Sequence, residues 1–189
     1  MGTFKNWLAG LTGRDSDGVE RRQDARPSVI KIDPSDMDPA SGALRTDRFM
    51  SMLAAEQAQR PGALLLIDMA ERVGIAETGN AETPSEALVL MALAIRQAVR
   101  ADDLVTHVEG YRFAVLLRGA PQELADAIAQ RICESVDDTV FMTAHGIAQL
   151  DIAVGGAMFE PGKSRDIYTD AGLALDAART SESYRVSIG

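Results

Sequence analysis

A predicted β-hairpin in the middle of the chain is the feature that most constrains the fold. Residues Asp103–Glu109 and Tyr111–Leu117 are rich in β-branched, aromatic and aliphatic side chains, and Gly110 stands between them. Two such runs joined by a short glycine-containing connection predict two antiparallel strands and a tight turn. The fold must therefore contain at least one local antiparallel strand pair.

Predicted helices and short strands alternate through the rest of the chain from about residue 38. Helical periodicity predicts four helices, over residues 44–59, 83–100, 121–136 and 165–179. Apolar runs predict further strands over residues 63–68, near 141, over 151–157 and over 184–188. Thr83-Pro84-Ser85-Glu86 is a capping box with proline at the first helical position, which marks the start of the second helix. Alternating helices and strands that include a hairpin predict an α/β (α+β) fold, with a central, mostly antiparallel sheet flanked by helices.

The second and third predicted helices each have one apolar face, which is expected to pack on the sheet. The second helix is expected to bury Leu88, Met91, Ile95 and Val99, and the third Leu124, Ile128, Ile132 and Val136. A hydrophobic content of 46% supports a packed core rather than a disordered chain. At 189 residues, the chain is long enough for one ordinary domain and a tail.

Residues 1–37 differ from the rest and are predicted to form a helix and a linker, ahead of a domain at residues 38–189. The apolar side chains of this N-terminal helix fall on one face: Phe4, Trp7, Leu8 and Leu11. Residues 14–26 are charged and contain few apolar side chains, as linkers do. Two roles stay open for the helix: it caps its own domain, or it docks on a partner protein or a membrane surface.

The sequence predicts a cytoplasmic location. No apolar run reaches the length of a transmembrane segment, and the first residues lack the apolar region and cleavage site of a signal peptide. The single cysteine, Cys133, cannot form a disulfide within the chain, and its place in a helical pattern predicts a core or semi-buried thiol.

A formal net charge of −9 argues against a nucleic-acid-binding protein, because neutralising phosphates requires a basic surface. A small anionic ligand is compatible with this charge, since a few arginines suffice to hold it. His107 and His145 have no cysteine neighbour and no partner at ligand spacing, so the sequence predicts no metal site at either histidine.

Four short motifs follow one another in the order found in one protein family. They are Asp38-Pro-Ala-Ser-Gly-Ala-Leu44, Leu64-Leu-Leu-Ile-Asp68, Asp151-Ile-Ala-Val-Gly155 and Ala171-Gly-Leu-Ala-Leu-Asp-Ala-Ala-Arg179. In order and spacing, residues 38–187 resemble the GGDEF domain of diguanylate cyclases. The resemblance implies a sheet rich in antiparallel strands and surrounded by helices, as in nucleotide cyclases and polymerase palms.

The same resemblance implies a degenerate catalytic hairpin. The family's turn carries Gly-Gly-Asp/Glu-Glu-Phe, whereas this chain has Glu109, Gly110, Tyr111, Arg112 and Phe113. One glycine that allows close approach of the substrate has become a glutamate. A phenol and a guanidinium replace the two acidic side chains, and neither binds a divalent cation as a carboxylate does.

Two other positions of the family's site are kept. Asp68 matches the metal-binding aspartate at the end of the first strand, and Arg179 keeps the positive charge of a phosphate-contacting lysine. An aspartate at a strand end is also common as a turn or cap residue. The family's second acid and its two guanine-reading residues have changed, to Ala70, Ala76 and Ser85. With one carboxylate left, the chain lacks the ligands for the two cations that phosphoryl transfer requires. We therefore expect no diguanylate cyclase activity, no bound metal and no cofactor.

Arg100-Ala-Asp-Asp103 lies just upstream of the hairpin, at the register of the R-x-x-D inhibitory site of the family. In active relatives that site binds the product, cyclic di-GMP. A guanidinium can donate two hydrogen bonds to guanine or to a phosphate, and a carboxylate can accept from guanine N1–H and N2–H. The alternative is structural: Arg100 ends a helix and pairs with Asp103 on the next turn.

The leading hypothesis is a catalytically inactive, GGDEF-like bacterial signalling protein that binds cyclic di-GMP through Arg100 and Asp103 and acts on a protein partner. Because this ligand often bridges two protein surfaces as a stacked pair, a homodimer is an expected assembly. The alternative is a ligand-free protein–protein interaction module, in which the N-terminal helix contacts the partner. A third hypothesis, a residual enzyme or GTP-binding protein, rests on Asp68 and Arg179.

Overall fold

A computed structural model describes residues 32–69, 85–139, 141–143, 146–148, 150–163, 165–181 and 185–189. Every described residue lies in one compact unit, Lys31–Gly189. The predicted N-terminal helix, with Phe4, Trp7, Leu8 and Leu11, lies outside the described residues. Among the described helices, none is both long enough and apolar enough to cross a membrane.

Five of the described strands form a central sheet, and two more form a small separate hairpin. The seven strands are β1 (Gly62–Met69), β2 (Leu104–Glu109), β3 (Arg112–Arg118), β4 (Phe141–Thr143), β5 (Gly146–Ala148), β6 (Ile152–Phe159) and β7 (Val186–Ile188). The central sheet has the order β2-β3-β1-β6-β7, while β4 pairs with β5. Neighbouring strands in the central sheet are antiparallel, except that β6 and β7 are parallel. The prediction of a mostly antiparallel sheet is confirmed.

Four described helices cover the two faces of this sheet. They are α1 (Thr46–Gln59), α2 (Ser85–Ala98), α3 (Gln122–Asp137) and α4 (Ile167–Thr180). Side chains alternate between faces along a strand, and every second residue of β1, including Leu65 and Ile67, belongs to the core that α2 and α3 complete. The helix α4 packs against β1 and β6, and α1 lies beside β2. The predicted arrangement of helices around a central sheet is therefore confirmed.

Most of the residues predicted for the helix cores are buried. The buried ones are Leu88, Met91, Ile95, Ile128, Ile132 and Val136, together with Cys133. Two predicted core residues, Val99 and Leu124, are only partly buried. Val99 follows the last residue of α2, and Leu124 lies in the first turn of α3. At a helix end, a side chain has a neighbouring turn on one side only, so it is less fully enclosed.

Gly155 allows α4 to lie unusually close to the sheet. It pairs with Leu66 of β1, so it shares the face of the sheet opposite to that of Leu65. A Cβ atom at Gly155 would overlap the backbone nitrogen and Cα of Leu175 on α4. Only glycine permits this approach, which brings the C-terminal part of α4 over the end of β1 and the start of β6.

The first motif folds as a turn that Asp38 holds together. Its carboxylate accepts hydrogen bonds from the Ala40 N–H (3.2 Å), the Ser41 N–H (3.1 Å) and the Ser41 hydroxyl (2.6 Å). Partial burial favours the protonated carboxyl, but these hydrogen bonds and the nearby His107 outweigh it and lower the pKa of Asp38 below its ordinary value. The Leu44 N–H donates to a carbonyl of β2 at 2.9 Å, which attaches the turn to the edge of the sheet.

Candidate functional site

The central hairpin has a two-residue turn instead of the single glycine that the sequence predicts. β2 ends at Glu109 and β3 begins at Arg112, so Gly110 and Tyr111 form the connection. Gly110 has a φ of 51°, in the left-handed region that glycine adopts without steric penalty. The register shifts between His107 and Glu109, an irregularity of the β-bulge type. Tyr111 therefore lies in the turn, and Arg112 is the first residue of the returning strand.

The pairing of β1 with β3 brings Asp68 and Arg112 into contact. Ile67 pairs with Phe113 in antiparallel register, so the residue after Ile67 lies beside the residue before Phe113. Arg112 Nε donates to Asp68 Oδ2 at 2.9 Å, and Arg112 Nη2 lies 2.7 Å from the same oxygen. Only 15% of the Asp68 side chain and 30% of the Arg112 side chain are exposed. Water therefore screens this ion pair less than it screens a fully exposed pair.

The pKa of Arg112 reflects this contact. Partial burial opposes a charged guanidinium, but the hydrogen bond and Coulomb attraction of Asp68, aided by Glu109, raise the pKa of Arg112 above its ordinary value. The contribution of Glu109 is weaker, because its Oε1 lies 3.4 Å from Arg112 Nη1 and 73% of its side chain is exposed. Arg112 is therefore a permanent cation held against the Asp68 carboxylate.

A second guanidinium approaches the same carboxylate. Arg179, near the end of α4, donates from Nε to the Met69 carbonyl at 3.1 Å, and its Nη1 lies 4.0 Å from Asp68 Oδ2. The close packing of α4 on β6 places Arg179 near enough to Met69 and Asp68 to make these contacts. The two family positions that the sequence retains, Asp68 and Arg179, thus lie side by side, and Arg112 makes the shorter contact with the carboxylate.

These residues do not fit the divalent cations that the family resemblance implies. Within the described residues, no group of three or more His, Cys, Asp or Glu side chains could hold a metal ion. Asp68 Oδ2 already contacts the Arg112 guanidinium, which competes directly with any cation for that oxygen. Burial raises the pKa of the Tyr111 phenol, which is therefore neutral near pH 7 and a poor ligand for a hard cation. Ala70 and Ala76 lie outside the described residues.

The Arg100–Asp103 pair forms a turn in which the aspartate faces inward. Asp103 is only 4% exposed. Its Oδ2 accepts a hydrogen bond from the Arg100 N–H at 2.9 Å, and its Oδ1 accepts one from the Arg118 N–H at 3.3 Å. The Asp103 N–H in turn donates to the Arg100 carbonyl at 3.2 Å. Asp103 therefore contacts the main chain of Arg100, while Arg100 itself is exposed at the surface.

Two arginines with no predicted role contact carbonyls around the same turn. Arg96 donates from Nη1 to the Asp103 carbonyl at 2.6 Å, and Arg131 donates from Nε to the Ala98 carbonyl at 2.8 Å. Ala98 is the last residue of α2, and cations are favoured at a helix C-terminus, where carbonyls lack intrahelical partners. Arg96 lies close to the C-terminal end of the second predicted helix, and this position was a usable signal. Arg131 belongs to α3, and only the packing of α3 on α2 brings it here.

The sequence matches a family model described as "Diguanylate cyclase, GGDEF domain" over residues 45–185. The "Probable diguanylate cyclase DgcC" of Escherichia coli strain K12 is 28% identical over 131 residues, which cover 68% of this chain and 35% of that protein. The chain therefore spans about a third of the length of this relative.

Solved structures of related domains share the fold. Diguanylate cyclase SiaD from Pseudomonas aeruginosa, solved in complex with its activator SiaC, has a TM-score of 0.73 and 20% identity, with 82% of this chain and 62% of that chain covered. The coiled coil and GGDEF domain of DgcB from Caulobacter crescentus, solved with cyclic di-GMP, has a TM-score of 0.71 and 16% identity, covering 82% and 86%. The GGDEF domain of FimX from Pseudomonas aeruginosa has a TM-score of 0.70 and 21% identity, covering 82% and 99%. At these identities, the likeness establishes the fold alone.

Proposed function

This chain belongs to the GGDEF domain family, and we propose that it is a catalytically inactive member, which signals by binding a ligand or a partner protein. The contact between Arg112 and Asp68 is the observation that carries this proposal. Joining two GTP molecules requires cations that polarise a 3′-hydroxyl and neutralise phosphate charge. In this chain, a guanidinium is held at 2.7 Å from the one carboxylate that matches the family's metal ligands.

A direct assay tests the loss of catalysis. The full chain is incubated with GTP and either Mg²⁺ or Mn²⁺, and the products are separated by chromatography. We expect no cyclic di-GMP and no linear dinucleotide. A dinucleotide product that disappears in the Asp68→Asn variant would refute the proposal, since it would show that Asp68 still supports phosphoryl transfer.

The proposed mode of action is that of a cyclic di-GMP receptor that acts on a protein partner. Arg100 supports this role, because it is exposed beside a turn at the register of the family's ligand site. Its guanidinium can donate to a phosphate or to the guanine edge. The solved DgcB domain with cyclic di-GMP and the SiaD complex with its activator make both a nucleotide ligand and a protein partner reasonable expectations for this fold. A cytoplasmic site of action and ligand-induced dimerisation belong to the same proposal.

Calorimetry tests the receptor role with a matched set of variants. Native protein, Arg100→Ala and Arg100→Lys are titrated with cyclic di-GMP. Binding by the native protein that is lost in Arg100→Ala and weakened in Arg100→Lys would support a bidentate guanidinium contact, because lysine keeps the charge but not the planar fork. No detectable heat at high micromolar ligand would refute the receptor role, but it would not indicate catalytic activity. Light scattering with and without ligand measures the dimerisation.

The burial of Asp103 favours a second candidate, a ligand-free interaction module. Its two carboxylate oxygens already accept hydrogen bonds from backbone N–H groups, and only 4% of the residue is exposed to a ligand. In this case, the domain serves as a rigid surface and the N-terminal residues, with Phe4, Trp7, Leu8 and Leu11, supply the partner contact. Removing residues 1–13 should then abolish partner binding, while Arg100→Ala should leave it unchanged.

A further inference from the structure

We propose that the guanidinium of Arg112 prevents divalent metal ions from binding at Asp68, and that replacing this guanidinium with a carboxylate allows them to bind. This inference deepens the proposed function and rests on it, since a working cyclase would need the Asp68 carboxylate to be free. In this inference, Arg112 excludes metal ions through its own positive charge, in addition to the loss of an acid at that position.

The first step of the argument concerns geometry. Asp68 lies near the end of β1 and Arg112 is the first residue of β3, the neighbouring strand. Two guanidinium nitrogens lie 2.7 and 2.9 Å from a single carboxylate oxygen, which is the distance range of charge-assisted hydrogen bonds. The strand register therefore places positions 68 and 112 side by side on one face of the sheet, so an acidic side chain at position 112 also starts beside the Asp68 carboxylate.

The second step concerns charge. A glutamate at position 112 would bring a second carboxylate towards Asp68 on a half-buried surface. Two carboxylates that share a site repel each other, and a divalent cation between them relieves that repulsion while supplying the oxygen coordination that Mn²⁺ and Mg²⁺ prefer. Glu109, on the same hairpin, has a carboxylate oxygen 3.4 Å from the Arg112 guanidinium and therefore lies beside the space that this guanidinium would leave.

The third step separates Arg112 from Arg179, the other cation nearby. Arg179 Nη1 is 4.0 Å from Asp68 Oδ2, and its Nε donates to the Met69 carbonyl instead. The contact of Arg112 is shorter by more than an ångström and involves two nitrogens on the same oxygen. Arg112 is therefore the side chain whose replacement changes the access of a metal ion to Asp68.

Metal binding by four forms of the full chain tests the inference without any enzymatic readout. These are native protein, Arg112→Gln, Arg112→Glu, and the double variant Asp68→Asn/Arg112→Glu. Bound Mn²⁺ is measured from the loss of the free-ion signal in electron paramagnetic resonance, and circular dichroism checks that each form is folded. Melting temperatures in Mn²⁺ and in EDTA give a second, independent measure, because a ligand that binds the folded state raises the melting temperature.

We expect Arg112→Glu to bind Mn²⁺ at least about tenfold more tightly than native protein, with the gain abolished by Asp68→Asn. Arg112→Gln, which removes the cation without adding an acid, should lie between the two and tests the inference if the glutamate variant fails to fold. Equal Mn²⁺ binding by native protein and every single variant that folds would overturn the inference. That result would leave the proposed loss of catalysis in place, which only a dinucleotide product from native protein would overturn.

Discussion

The carboxylate of Glu56 on α1 and the guanidinium of Arg118 at the end of β3 form a buried ion pair, with 2.8 Å between Oε1 and Nη2. Only 9% of the glutamate side chain and 4% of the arginine side chain are exposed. Nε and Nη1 of Arg118 have no hydrogen-bond partner among the described residues. Arg60 Nε lies 3.0 Å from Glu56 Oε2, where it adds Coulomb attraction but not hydrogen-bond geometry. The buried charge of Arg118 is therefore compensated mainly by one carboxylate.

Replacing Glu56, the acidic partner of this pair, should destabilise the protein strongly. Glu56→Gln leaves the buried Arg118 cation without its counter-charge, which is expected to lower the free energy of unfolding by about 3 kcal/mol. The double variant Glu56→Gln/Arg118→Met, which removes both charges, should recover much of that loss. Urea denaturation of the three forms measures the effect. A double variant no more stable than Glu56→Gln would show that the buried charge is not the cause.

Replacing Gly155 should disturb the packing of α4 on the sheet. A methyl group at Gly155 would overlap the backbone of Leu175, which cannot move aside as a flexible side chain can. We expect Gly155→Ala to lower the free energy of unfolding by about 3 kcal/mol or more. Gly172→Ala is the matched control, because Gly172 lies within α4 and a Cβ there meets nothing within 4 Å. That control should be stabilised by about 0.5 kcal/mol. Thermal melting of both variants tests the pair.

Asp38 should make the stability of the protein depend on pH in the acidic range. Its pKa is lowered from the ordinary value of 3.8 in the folded protein, so its stabilising contribution is fully present above that value and is lost as the pH falls through the lower, folded pKa. Asp38→Asn, which cannot ionise, should be less stable than native protein by about 1 kcal/mol at pH 7. The difference should shrink below about pH 4. A constant difference from pH 7 to pH 3 would contradict the assignment.

Asp103 and Arg100 should respond differently to substitution, even though they form one sequence motif. Asp103→Ala leaves two backbone N–H groups without acceptors and should lower the free energy of unfolding by about 2 kcal/mol. Arg100→Ala changes an exposed side chain and should alter stability by less than about 0.5 kcal/mol. Urea denaturation separates the two. Any loss of ligand binding in Arg100→Ala can then be read as a loss of contact, whereas the same loss in Asp103→Ala cannot be separated from misfolding of the turn.

The fold could be predicted from the sequence because its signals are local. The apolar run at residues 63–68 and the flanking amphipathic periodicities identify elements whose bounds differ from the observed ones by a few residues, although the short strand β5 was not predicted. The exchange of acids for Tyr111 and Arg112 was equally visible. The ion pair between Arg112 and Asp68 was not predictable, because it depends on which residues of β1 and β3 lie opposite each other, and strand register is set by tertiary packing.

The sequence also left the orientation of the Asp103 side chain open. The spacing Arg-x-x-Asp is compatible with two side chains that face a ligand and with a turn in which the carboxylate faces inward. The choice depends on the Arg118 N–H, which comes from another strand and satisfies one of the two carboxylate oxygens. A motif of two residues cannot contain that information, since the deciding donor lies fifteen positions away in the chain.

The Arg112 guanidinium is covalently attached to the chain, so it stays near Asp68 even when the ion pair opens, whereas an ion drawn from solution diffuses away. The contact joins the tip of the β2–β3 hairpin to the end of β1 through side chains of the chain itself, without a bound ion. If the domain signals as proposed, we therefore expect its ligand and its partner to contact a surface other than this one.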